Sequence, residues 1–200
     1  MAVDAANDLD TLAGVKPFLR IGSADTTFDV QLQSFITGLS FEFNRYCRRE
    51  IKARDRTDYY DGTGSSKLFV HHYPINTITT LHVDPDRDYE AGDLIASGDY
   101  ILYKEIGLIT LAGSVFGESP LEIKLVYNGG YTPIPADVLG AFRAQLKYLF
   151  NRWKDNEDGL SSKTMGDGSI QIVADDFLKP VKRVLINHKR KGHTSVANYC

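Results

Sequence analysis

The chain has 200 residues, 42% of them hydrophobic and 24% charged, with a formal net charge of −3. That is enough apolar material for one sizeable core, or a domain with small appendages, and the acidic balance excludes a surface that grips nucleic acid all over, which needs a strong basic excess. No segment approaches the roughly 18 uninterrupted apolar residues of a membrane span and no apolar leader follows basic residues, so neither membrane insertion nor signal-peptide secretion is expected. The two cysteines, Cys47 inside a predicted helix and Cys200 at the last position, make a poor structural staple and imply a reduced, cytosolic assembly environment.

Residues 1–8 are small and acidic and are expected to be unstructured. Leu9, Leu12, Val15, Phe18 and Leu19 have helical spacing, with Asp8 or Asp10 as a cap and Pro17 as a disturbance. Asp25, Thr26 and Thr27 are capping types for the next and clearest helix. There Phe28, Leu32, Phe35, Ile36, Leu39, Phe43 and Tyr46 recur at steps of three and four, and the helix ends near Arg48. From Ile51 to Tyr127 the period falls to two. Strands are predicted over 53–60, 67–72, 76–83, 99–103, 108–111 and 121–127, with a weaker one over 94–96, separated by turn chemistry such as Asp61-Gly62-Thr63-Gly64 and Asp84-Pro85-Asp86. Short strands so spaced indicate an antiparallel sandwich or barrel, with no βαβ unit.

At 126–141, VYNGGYTPIPADVLGA, the period changes again. Gly129 and Gly130 permit a sharp strand end, Pro133 and Pro135 forbid the ladder to continue, and Pro135 with Asp137 suits the first turn of a helix. These two glycines and two prolines form a structural hinge, geometric in role. The helix that follows, Val138 to Trp153, carries Val138, Phe142, Leu146, Leu149 and Phe150 on one side and Arg143, Lys147 and Lys154 on the other. Residues 155–168 show no periodicity and read as a mobile loop; a short run over 170–173 leads to a last helix, 177–188, with Pro180 near its start.

The fold class is therefore α+β: a helical bundle of about three to four helices with an inserted antiparallel β-sandwich or barrel-like sheet. The expected division is 1–50 as N-terminal helices of a helical layer, 51–131 as the β-rich insert, 132–154 as the helix completing the layer, 155–176 as a flexible loop, and 177–200 as a docking helix and basic tail.

Chemistry-bearing motifs fail one by one. His71 and His72 are adjacent on a predicted strand, so their side chains point to opposite faces, and His82 is the only third candidate for a metal. Asp84, Asp86 and Asp88 mimic the start of a calcium loop, but Tyr89 stands where glycine is needed and Ile95 where glutamate is needed. Gly62, Gly64 and Lys67 lack phosphate-loop spacing and lie between strands. No nucleophile elbow, zinc helix or paired C-x-x-C occurs. Neither an active site nor a cofactor or metal is expected.

One charge asymmetry stands out. After Asp176 there is no acid, while Lys179, Lys182, Arg183, Lys189, Arg190 and Lys191 are basic. The segment is suited to neutralising phosphates or to docking on an acidic protein surface, with Phe177, Leu178, Val181, Leu185 and Ile186 as apolar contacts. A solvated tail, with its positive charge favoured at a helix C-terminus, is the plainer reading.

Taken in order, TLAGVKPFLRI, the helix ending in NRYCRREI, YYDGTGSSKLFVHHYPINTIT, SGDYILYKEIGLITL and IKLVYNGGYTPIPADV resemble the head-tail connector proteins of long-tailed bacteriophages, also called adaptor or head-completion proteins, over about Leu9 to Trp153. The resemblance implies a non-catalytic virion protein of the neck. It would form a homo-oligomeric ring, typically a dodecamer, beneath the portal protein and offer a platform to the next neck, stopper or tail-completion protein. Double-stranded DNA would pass through the channel without sequence-specific binding. It further implies a C-terminal segment that reaches the portal, a role that by position falls to Phe177, Leu178, Val181, Lys182, Arg183, Leu185, Ile186, Lys189 and Arg190. Gene transfer agents, which are domesticated phage particles, use similar proteins. A reading from another class is a nucleic-acid-binding accessory protein that uses the basic tail.

Overall fold

The computed structural model describes residues 5–155, 162–165, 168–171 and 177–190, and the two short internal segments by backbone only. The chain divides into two compact units, with boundaries at Arg48/Arg49 and Pro133/Ile134. Among the described residues no helix is long and apolar enough to cross a membrane.

The helical unit contains α1 (Leu12–Leu19), α2 (Asp29–Cys47), α3 (Ala136–Lys154) and α4 (Lys179–His188). Thr11 caps α1, its side chain accepting the Gly14 N–H. Pro17 lies inside α1, and the helix stops at Arg20, which takes left-handed geometry. The cap of α2 differs from expectation. Asp25 accepts the N–H of Thr27 in a turn ahead of the helix, and the N-cap itself is Phe28, which makes no side-chain cap bond. Its ring instead meets Phe150 and Trp153 edge-on, at 5.4 and 6.2 Å between centroids. Hydrophobic contact fixes this helix entry where a hydrogen bond was expected.

Leu32, Ile36, Leu39, Phe43 and Cys47 form the buried stripe of α2, and Val138, Phe142, Leu146 and Phe150 that of α3. Phe43 packs edge-on against Phe142 at 5.4 Å; burying one such ring stabilises by roughly 2–3 kcal/mol. Charged ties join elements far apart in sequence. Arg143 Nε donates to Asp10 at 2.6 Å and Lys16 meets Asp29 at 2.6 Å. A Cβ on Gly14 would run into the Asp10 carboxylate, so glycine is what lets α1 lie beside this pair. Within the stretch read as a loop, β7 (Ser162–Met165) and β8 (Gly168–Gln171) pair antiparallel; the remainder of 156–176 lies outside the described residues, as does the tail beyond Arg190.

The second unit holds β1 (Arg54–Tyr60), β2 (Lys67–Phe69), β3 (Ile75–Val83), β4 (Tyr100–Tyr103), β5 (Leu108–Leu111) and β6 (Ile123–Gly129). They form two three-stranded antiparallel sheets, β1-β6-β3 and β2-β5-β4. Alternation along β6 buries Ile123, Leu125 and Tyr127 on one face, and Leu68, Ile109 and Leu111 from the other sheet, with Phe116 from the loop before β6, share their cluster, making an open sandwich. β3 carries two register shifts against β6. Two strand expectations are corrected. The weak strand at 94–96 is a single bridge, His82 to Leu94, and β2 ends at Phe69. His71 and His72 therefore lie beyond the strand, where His72 Nδ1 accepts the Glu50 N–H at 3.2 Å.

Candidate functional site

Three of the stretches that carry the family resemblance meet at the ends of the sheet unit. Arg49 is 4% exposed. Its guanidinium lies 4.5 Å from the Tyr73 ring centroid and 4.9 Å from that of Tyr131, and Nη1 donates to the Tyr73 carbonyl at 2.8 Å. A cation with so little water needs such faces and acceptors. Beside it Glu50 pairs with Arg54 at 2.6 Å and Arg56 at 2.8 Å.

The backbone closes the same place. Tyr131 N–H donates to the Ile51 carbonyl, Ala53 N–H to that of Tyr131, and Gly130 N–H to that of Pro74, at 2.8, 3.0 and 2.9 Å. Gly130 has φ +119°, and a Cβ there would stand 2.6 Å from the Lys52 oxygen; at Gly129 a Cβ would stand 2.5 Å from the His72 oxygen. Both positions need glycine. Of the hinge residues, these two are locked into the sheet unit, Pro133 ends it after a cis peptide bond, and Pro135 is the N-cap of α3, one place ahead of the expected first turn.

The docking set separates into two groups. Val181 is 2% and Leu185 0% exposed. Phe177 stacks edge-on against Phe43 and Tyr46 at 5.3 and 5.5 Å, Leu178 N–H donates to Gln145 Oε1 at 2.9 Å, and the Cys47 thiol lies 3.6 Å from the Leu185 carbonyl. Phe177, Val181 and Leu185 therefore pack within the helical unit of the single chain, where spacing of four places Val181 and Leu185 on the helix's own inner stripe. Lys182 and Lys189 are half-buried, Lys189 with its ammonium 5.4 Å from the Tyr46 ring. The outward face is Lys179, Arg183, Ile186 and Arg190, with Ile186 58% exposed. His188 fastens the end of α4 to Asp137 at 2.8 Å. Burial raises the Asp137 carboxyl, but His188 and the Val138 N–H outweigh it and hold it below the ordinary carboxylate range.

The remaining candidates from the sequence are structural. The buried Asp84 carboxylate accepts the N–H groups of Asp86, Asp88 and Tyr89 at 2.7 to 2.8 Å, and the Tyr89 bond leads in holding its pKa low. Asp88 and Asp93 bring carboxylate oxygens within 4.8 Å of it, but Asp93 closes a capping box with Glu90. Asp58 accepts from both Tyr60 and Tyr127, whose phenols burial pushes far up. Desolvation, with Arg56 nearby, lowers His72 to about 4, so it stays a neutral acceptor. Arg49 was the residue that sequence reasoning missed; its only signal was membership of a quoted motif.

The fold is thus a helical unit interrupted in sequence by a small sandwich, with the acids described above holding turns and helix ends. The model of the head completion protein family matches residues 8–191. The chain belongs to that family: it is a structural protein of the virion's head-tail neck and not an enzyme. Its fold is similar to chains in the neck of an empty GTA particle computed with C6 symmetry (TM-score 0.62, 15% identity, covering 96% of this chain and 94% of that one) and in the neck of a native GTA particle computed with C12 symmetry (0.59, 14%, 96% and 93%). It is likewise similar to a chain in the virion of a native gene transfer agent particle (0.61, 15%, 96% and 94%). No curated protein sequence matches.

Proposed function

We propose that the protein forms a ring beneath the portal of a phage or gene transfer agent particle and offers a platform to the next neck or tail-completion protein, with double-stranded DNA passing through without sequence-specific contact. The observation that carries this reading is that the family match runs through both units, residues 8–191, while chains of similar fold come from necks computed with C6 and C12 symmetry. Because the middle of α4 is committed to the helical core, portal docking falls to its outer end, Lys189 and Arg190, with the basic chain that follows. Gly129, Gly130, Pro133 and Pro135 set the path of the chain between the two units.

Mixing the protein with its portal and imaging the product tests this. A ring at the portal's narrow end is expected; folded partners that leave the portal bare would overturn it. Removal of residues 189–200 is expected to abolish attachment while leaving the fluorescence of Trp153, the single tryptophan, unchanged. The exposed cations of α4 favour one other reading, an accessory protein that binds DNA. It requires duplex binding that weakens steeply with salt and is lost on the same truncation.

A further inference from the structure

The outward face of α4 combines charge with apolar surface: Lys179, Arg183 and the exposed Ile186, on a helix that contains no acid. Such a face is complemented by acids surrounding apolar groups. The sheet unit presents that chemistry. Residues 49–133 hold thirteen Asp and Glu against eight Lys and Arg, a net of −5, and residues 84–93 alone hold five acids against one arginine.

Three of those acids, Asp86, Asp88 and Glu90, are exposed, beside a built ledge. Tyr89 O–H donates to the Leu121 carbonyl at 2.5 Å, its ring lies 5.6 Å from that of Tyr59, and Lys124 covers it at 5.0 Å. Tyr59 and Leu121 remain 46% and 48% exposed, with Asp86 and Asp88 exposed beside Tyr89 in sequence. Arg87 is the one opposing charge within the loop.

We propose that the outward face of α4 in one copy docks on the Asp86–Asp88 ledge of the next copy. The two patches differ, so the contact is heterologous and propagates head to tail, and such contacts close into rings when the rotation allows. This rests on the ring reading above and names its lateral contact; it leaves the chain beyond His188 for the portal.

A charge swap tests it with full-length protein on the portal. Asp86→Lys with Asp88→Lys reverses the ledge, and Lys179→Glu with Arg183→Glu reverses the helix; all four side chains are exposed, and Trp153 fluorescence and far-UV circular dichroism check folding. Each variant alone is expected to decorate portals about tenfold less than wild type, since like charges then face each other. An equimolar mixture is expected to restore closed rings, because each reversed patch meets its reversed complement. Wild-type decoration is also expected to fall as salt rises. Rings formed by either variant alone at wild-type levels, a mixture that stays deficient, or salt-insensitive decoration overturn the proposed contact and leave the ring reading standing. A wild-type protein that forms no ring on folded portals overturns the ring reading, and this contact with it.

Discussion

The acids of the two units differ in how far along the chain their partners lie. In the helical unit the ties run between elements distant in sequence: Asp10 holds Arg143, Gln33 donates to Asp8, and Asp137 holds His188. In the sheet unit Asp58 also reaches a distant partner, Tyr127, but two buried acids serve their own loops. Asp84 gathers three amides within five residues, and Glu122 accepts those of Gly117 and Ser119. Local satisfaction lets a turn form early, while long-range satisfaction waits for the whole chain. The helical unit, whose halves flank the insert in sequence, relies on ties of the second kind, while the sheet unit combines both.

The contrast can be broken most severely inside α4. Leu185→Asp buries a charge in the helical core and is expected to cost about 3–5 kcal/mol, seen as loss of the native Trp153 signal in denaturant, whereas Ile186→Asp next to it should change stability by under about 0.5 kcal/mol. Equal effects at the two positions would show that the inner and outer faces are misassigned. Gly130→Ala strikes the sheet unit instead. With positive φ and the Lys52 carbonyl in the way, it is expected to cost about 2–3 kcal/mol by urea denaturation followed by tyrosine signals.

Acid separates the units more gently. His72 has a folded pKa lowered to about 4 from the usual 6.5, so between those values the unfolded chain binds more protons and stability falls as pH falls. The contribution is complete above about pH 6.5 and is lost progressively toward pH 4. His72→Gln should flatten that slope in a pH series of urea midpoints, and an unchanged slope would assign the acid sensitivity elsewhere. In the helical unit Asp137, held below the ordinary carboxylate range, loses its contribution only as pH falls past that range. Being half exposed, it is worth little: Asp137→Asn should cost about 0.5–1 kcal/mol at neutral pH, read from the Trp153 transition.

How legible this was depends on what each pattern encodes. The strand carrying Ile123, Leu125 and Tyr127 and the long α2 stripe could be read from period alone, because one face of each is buried against its own chain. The apolar residues of α4 were equally visible, but period does not say whether a stripe meets its own chain or a partner. Val181 and Leu185 turned inward, and the outward apolar residue proved to be Ile186, one step off the stripe. Asp84 looked like a failed calcium loop because its spacing is that of a turn, and the turn is what it builds. Arg49 was illegible for a different reason: its partners, Tyr73 and Tyr131, lie 24 and 82 positions away, and no local signal announces a clamp of that kind.

That clamp sits where the chain enters and leaves the sheet unit. The strand entering the sheet unit and the one leaving it run side by side where Lys52 bridges Tyr131, so the unit is a cassette with adjoining ends. Excising it would leave a gap only about 5 Å wide, and a short linker could span it. Entry and exit therefore lie at one place, on two neighbouring stretches that carry Lys52 and Tyr131.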